Sequence, residues 1–186
     1  MNIKLITTLF FLFPVLLSAQ IGPANVIQEP FALGINEVIT RDIDGDGDLD
    51  ILVSNYFPFP PGVSRLAWYE NLDGQGNYGP QIIISTAFRA PAYIITADID
   101  GDGDLDIACG SLDLDVTDIA WYENEDGLGH FVPVYFVDNV LQDLNHKVVA
   151  DFNGDGDLDL LISSSSGTIN YYENMDGLGT FTTDGI

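Results

Sequence analysis

Polar and apolar positions fall into short blocks along this chain. Runs rich in Val, Ile and Thr occupy residues 36–40, 92–97 and 147–150, and each is followed by an acidic, glycine-bearing stretch and then a second apolar run, at 49–54, 105–110 and 158–163. Runs of this length with β-branched enrichment, bounded by Gly and Asp, predict strands. A third run carries Trp68-Tyr69, Trp121-Tyr122 and Tyr171-Tyr172, and residues 81–85 and 132–137 supply a fourth. Helical periodicity is absent beyond the N-terminal stretch, so the predicted class is all-β.

Aligning the chain with itself shows why the blocks recur. DIDGDGDLDI begins at Asp42 and again at Asp98, and DFNGDGDLDL begins at Asp151, at offsets of 56 and 53 residues. Each is followed by a second marker: WYENLDGQGNY from Trp68, WYENEDGLGHF from Trp121 and YYENMDGLGTF from Tyr171. Two markers in fixed order define a repeat, and about 50 residues with four antiparallel strands is the size of a propeller blade. The blades are expected at 34–86, 90–138 and 145–186. In each, the Asn-x-Asp-Gly-x-Gly element should turn strand three into strand four. Three blades fall short of the roughly four that close a ring. The chain is therefore expected to be part of a larger propeller, with 24–29 as a strand of a preceding or closing blade.

The acidic stretches carry the candidate chemistry. Counting Asp42 as position 1, carboxylates stand at positions 1, 3, 5, 7 and 9 with Gly at 4 and 6. Alternate residues around a tight turn converge their oxygens on one point, which suits a hard cation taking six to eight oxygen ligands. Side-chain ligation is predicted for Asp42, Asp44, Asp46 and Asp50, with the backbone carbonyl of Asp48. The second loop gives Asp98, Asp100, Asp102 and Asp106 with the Asp104 carbonyl. The third gives Asp151, Asn153, Asp155 and Asp159 with the Asp157 carbonyl. Four carboxylates within a few ångströms repel by about 1 kcal/mol per pair even at the dielectric of water, which favours a bound cation. Calcium is predicted at all three loops, one per repeat. Magnesium demands stricter geometry, and the two histidines and single cysteine do not make a zinc site. A helix–loop–helix calcium motif is excluded, because position 12 holds Val53, Cys109 or Ile162 instead of Glu.

Charge and composition narrow the setting. The chain has 29 acidic and 5 basic residues and a net charge of −24, with 14 of the acids inside the three loops. With 46% hydrophobic residues it can still build a core. So negative a chain is repelled by nucleic acid and by anionic membrane surfaces. Residues 1–19 carry Lys4, an apolar stretch from Leu5 to Leu17 and a small-residue exit at Ser18-Ala19, the pattern of a secretory signal peptide. A secreted or cell-surface protein is predicted, without a membrane span in the mature chain. The lone Cys109 precludes a disulfide within one chain.

The loops with their flanking strands resemble the calcium-binding FG-GAP repeats of integrin α-subunit propellers, and more closely bacterial VCBS-type repeats. The Trp-Tyr-Glu-Asn-x-Asp-Gly-x-Gly-x-Phe element is similar to the bacterial form, and the resemblance spans about 25–186. The literal Phe-Gly and Gly-Ala-Pro signatures are missing, which argues against an integrin-like ligand mode. The resemblance implies a scaffold with structural calcium that binds an extracellular protein or glycan in adhesion. The alternative is a non-catalytic portion of a larger secreted polysaccharide-acting enzyme. Catalysis by this chain is not predicted: Glu70, Glu123 and Glu173 recur once per repeat, whereas an active site needs an asymmetric constellation. The Trp68, Trp121 and Tyr171 stripe is expected in the core. The 55–65 connection, with Tyr56, Phe57 and Phe59, is a candidate contact surface.

Overall fold

The structure is a computed structural model of the full chain, and it describes residues 27, 34–56, 63–87, 90–111, 119–135, 144–164 and 167–182. The expected signal segment 1–19, the strand at 24–29 apart from Ile27, and Phe57 and Phe59 lie outside these residues. So do 165–166 of the serine run.

Among the described residues, eleven strands form three antiparallel sheets. The first holds β1 (Ile35–Arg41), β2 (Asp50–Asn55), β3 (Arg65–Tyr69) and β4 (Ile82–Ser85) in that order. The second holds β5 (Pro91–Ala97), β6 (Asp106–Ser111), β7 (Ile119–Asn124) and β8 (Phe131–Tyr135). The third holds β9 (Leu144–Ala150), β10 (Asp159–Ser164) and β11 (Ile169–Tyr172). Every strand pairs with its sequence neighbour, so each acidic loop is the hairpin connection between the first two strands of its sheet. The expected four strands are present in the first two sheets. In the third, a fourth is marked among the described residues only by the Asn174–Phe181 bridge, the counterpart of the Asn71–Tyr78 bridge in the first.

Register fixes which side chains meet. Leu52 stands opposite Ile39 and Trp68, and Ala108 opposite Ile95 and Trp121. Because side chains alternate across a pleated strand, one face of the first sheet carries Leu52, Leu66 and Trp68. That face forms one core with Ile94, Ile107, Cys109, Ala120 and Tyr122 of the second sheet. The second sheet's other face, with Ala108, Ile119 and Trp121, forms another core with Leu160, Ile162 and Tyr172 of the third. Burying an indole is worth about 4–6 kcal/mol at 25 cal/mol per Å² for an area of about 150–250 Å². The contact depends on glycine. A Cβ on Gly129 would overlap the ring of Trp68, and one on Gly179 would overlap the ring of Trp121.

A hydrogen-bonded latch accompanies each aromatic contact. Asn124, at the end of β7, donates its amide to the carbonyl of Ile43 in the first acidic loop at 3.0 Å. Asn174 repeats this one sheet later, donating to the carbonyl of Ile99 at 3.0 Å. The carboxamide oxygens accept from Gly129 N at 2.9 Å and Gly179 N at 3.0 Å, which ties the latch to the glycine under each tryptophan. Both asparagines are buried, and no rotation of either amide could keep all of these partners.

Among the described residues nothing covers the third sheet's outer face in this way. Leu66, Ile119 and Ile169 occupy one register position, opposite Ser54, Gly110 and Ser163. They are 0%, 4% and 65% exposed. Phe152 is exposed where Ile43 and Ile99 are buried, and it meets only Tyr171 edge to face at 6.1 Å among described aromatic pairs.

Alanine at Asn124 or Asn174 is expected to cost about 1–3 kcal/mol more than alanine at Asn71, because only the first two leave an inter-sheet carbonyl unsatisfied. Urea unfolding of the three variants measures this, and equal losses would contradict the latch.

Candidate metal centres

The acidic loops fold around aspartate oxygens that accept their own backbone N–H groups. In the first, Asp44 accepts from Asp46 N at 3.3 Å, Asp46 from Asp48 N at 2.8 Å, and Asp42 from Gly47 N at 3.1 Å. Gly45 and Gly47 take φ of 73° and 96°, the left-handed region open to glycine, and this curls the loop. The second loop repeats the pattern at Asp100 and Asp102, and the third at Asn153 and Asp155.

Position 9 has a further role. Asp50 is buried, and its two oxygens accept from Ile43 N and from Asn71 N, each at 2.8 Å. Asp106 does the same with Ile99 N at 2.9 Å and Asn124 N at 3.0 Å, and Asp159 with Phe152 N and Asn174 N, both at 3.0 Å. Each of these carboxylates clamps its loop to the end of the third strand in its sheet. Position 7 turns the other way. The carboxylates of Asp48, Asp104 and Asp157 lie against Gly74, Gly127 and Gly177, so their side chains are spent on the second turn of the same repeat.

The structure gathers Asp42, Asp44 and Asp50 in the first loop, with one oxygen of each within 4.8 Å of the others. In the second loop the corresponding group is Asp98, Asp100 and Asp102, and Asp106 stands outside it. Among the described residues the third loop forms no such group of acids. Asn153 explains why: its amide donates to Asp155 at 2.7 Å and to Glu173 at 3.2 Å, supplying positive hydrogens where the other loops hold a carboxylate. Asp151, in turn, accepts from Gly154 N at 2.6 Å and Gly156 N at 3.1 Å.

Electrostatics separate the loops in part, although in the third loop Asp157 is also pushed up, by burial and then by neighbouring acids. Burial pushes Asp44, Asp50 and Asp100 above the usual carboxylate range, with neighbouring acids adding to it. Burial pushes Asp106 furthest, up to about 6, against two N–H bonds that pull it down. Asp155 is instead held low by the Asp157 N–H and by Asn153. One oxygen each of Asp42 and Asp98 is buried with no hydrogen-bond partner. A buried, unpartnered carboxylate oxygen beside two more carboxylates fits an oxygen-seeking cation. The first two loops therefore suit calcium by their donor set, and the third suits it less.

Two contributions escaped the sequence reading. Glu70 lies close enough to raise Asp44, and Glu123 is itself pushed up by burial and then by Asp100, Glu125 and Asp102. The glutamate of the Tyr-Glu-Asn element thus faces position 3 of its loop. The adjoining asparagine is the clamp's second partner, and its recurrence in all three markers was the available signal.

The fold and these loops define an all-β repeat protein built on acidic hairpin connections. Residues 42–109, from the first loop into β6, match the family model of the FG-GAP-like repeat, and the chain carries an FG-GAP-type repeat. No curated protein matches the chain closely enough to count as a relative.

The pKa directions carry a sign. A carboxyl raised in the folded state contributes stability below its unfolded value, near pH 4, that is lost as pH rises through its folded value, about 6 for Asp106. Metal-free protein should melt at progressively lower temperature from about pH 4 to about pH 7, and saturating calcium should flatten that slope. Calorimetric melts in chelator and in calcium test this. A slope unchanged by calcium would contradict it.

Proposed function

We propose that this chain is a calcium-stabilised β-propeller repeat module, secreted or held at the cell surface, that serves as a scaffold for binding an extracellular protein or glycan. The observation that carries the reading is the pair of buried, unpartnered Asp42 and Asp98 oxygens, each within an acidic loop at blade spacing. In this reading the three sheets are successive blades. The regular handing-on of the asparagine latch and the Trp-under-Gly contact from sheet to sheet supports it. So does the proximity of the first strands, where Arg41 of β1 donates to Thr96 of β5 at 3.0 Å. The uncovered face with Val148, Phe152 and Ile169 supports a larger propeller, in which a further blade seals the third as the third seals the second.

Calcium is a structural element here. It neutralises each acidic hairpin, so that metal binding and folding are coupled. Recurrence of the same acids in each repeat supports a scaffold and not a catalytic role. The N-terminal Lys4, apolar stretch and Ser18-Ala19 exit support export. No helix among the described residues is long and apolar enough to cross a membrane.

Each filled site stabilises the fold by about 2.7 kcal/mol when calcium exceeds its Kd a hundredfold. The melting temperature is expected to fall in chelator and recover with calcium. Asp42→Asn and Asp98→Asn should each remove one tight site in a calorimetric titration, and Asp155→Asn should remove the weakest. A melt indifferent to chelation would refute the calcium reading, and a third loop binding tightest would overturn the ranking.

A further inference from the structure

The repeats are near-copies at their loops and markers but differ on their first strands. In register, Ile39, Ile95 and Val148 face Leu52, Ala108 and Leu161. Two positions back, the same place in the repeat holds Glu37, Tyr93 and His146. One further back it holds Asn36, Ala92 and Asn145. These six residues and Lys147 line one cavity of about 440 Å³ where β1, β5 and β9 come together. The volume falls in the range of small-molecule sites, about 300–1,000 Å³. An otherwise repetitive molecule thus becomes asymmetric at the point where its repeats converge.

Part of the cavity wall is structural. Lys147 Nζ lies 2.7 and 3.0 Å from the two Glu37 oxygens, and Ile94 N donates to Glu37 Oε2 at 2.6 Å, which ties the first strands of all three sheets together. That strut does not call for the exposed Asn145 and His146. It uses the Ile94 N–H that the register break frees, but it does not call for a tyrosine side chain at position 93. Tyr93 has φ of 57° and is the one non-glycine residue with positive φ among the described residues, placed at a break in register between Ala92 and Ile95. A bulky residue is strained there, and glycine would not be. Strain of this kind persists where the side chain is needed, and binding sites are its common location. Lys147 lies 5.5 Å from the Tyr93 ring centroid, which fixes one face of the phenol.

The charges select the ligand. Glu37 is the one carboxylate on the lining and is already neutralised by Lys147, so a cation gains nothing here. An anion must approach a chain of net charge −24. Asn36 is already engaged with the Pro91 carbonyl at 2.9 Å, which leaves the exposed Asn145 carboxamide and His146 imidazole beside the Tyr93 ring, donors and acceptors suited to hydroxyl groups next to an aromatic face. We propose that this cavity binds an uncharged sugar of one or two rings, held by Asn145, His146 and Tyr93. This deepens the module reading above and rests on it for the extracellular glycan, though not for the calcium sites.

The test uses the full chain loaded with calcium. An array of neutral and acidic mono- and disaccharides is screened, and the best neutral sugar is titrated by calorimetry. Two variants accompany it: Tyr93→Gly, which removes the ring and the strain, and the surface double variant Asn145→Ala with His146→Ala. The wild type is expected to bind at least one neutral sugar. Both variants should weaken that binding tenfold or more while keeping the calcium-dependent rise in melting temperature. Failure of every neutral sugar to bind, preference for acidic sugars, or full affinity in the double variant would each overturn the proposal. Loss of the calcium response in the wild type would count against the module reading alone.

Discussion

The structure depends on a buried carboxylate. Asp50, Asp106 and Asp159 sit at the inner end of the acidic loops, and each holds one N–H of its loop and one N–H at the end of its sheet's third strand. Burying a carboxylate costs several kcal/mol, and two charge-assisted hydrogen bonds offset only part of it. The surrounding acids add to that cost. In the first loop Asp42 and Asp44 gather with this group, in the second Asp98, Asp100 and Asp102 gather without it, and one oxygen each of Asp42 and Asp98 is left buried and unpartnered. In the third loop the Tyr171 hydroxyl donates to Asp159 at 3.0 Å, while the Asn153 amide goes to Asp155 and Glu173.

From that clamp the order spreads outward. The strand-end asparagine, fixed by its backbone N–H, aims its amide at the preceding sheet's loop carbonyl and its oxygen at the glycine that roofs the preceding tryptophan. Carboxylate, asparagine, glycine and tryptophan therefore act as one linked set, handed from each repeat to the next. Stability in such an arrangement is close to a sum of repeat and nearest-neighbour terms. This makes the outer sheet, with Ile169 and Phe152 uncovered, the weakest member.

The strands and loops were legible because both obey short-range rules. Alternating Val and Ile beside Asp-Gly turns identify the hairpins, and the predicted runs at 92–97 and 105–110 fall on β5 and β6. The tryptophans were placed in the core by their recurrence within strands, and both are buried, while Tyr171 is half-buried on the open face. What the sequence concealed was long-range. Asn124 and Asn174 reach carbonyls 81 and 75 residues away, and nothing local distinguishes a latch from a turn residue. The clamp at position 9 was hidden for a related reason, since an aspartate that accepts two N–H groups has the same spacing as one that ligates a metal. Tyr93 was also hidden, because positive φ at a tyrosine is imposed by a register break that no propensity encodes.

The most direct test of this account is amide hydrogen exchange in the calcium-loaded protein, read at Ile43, Asn71, Ile99 and Asn124. If buried aspartate clamps hold the fold together, these four amides exchange only through global unfolding, and Asp106→Asn accelerates Ile99 and Asn124 ahead of the other two. Exchange of all four as fast as the exposed amides of the same loops would contradict it.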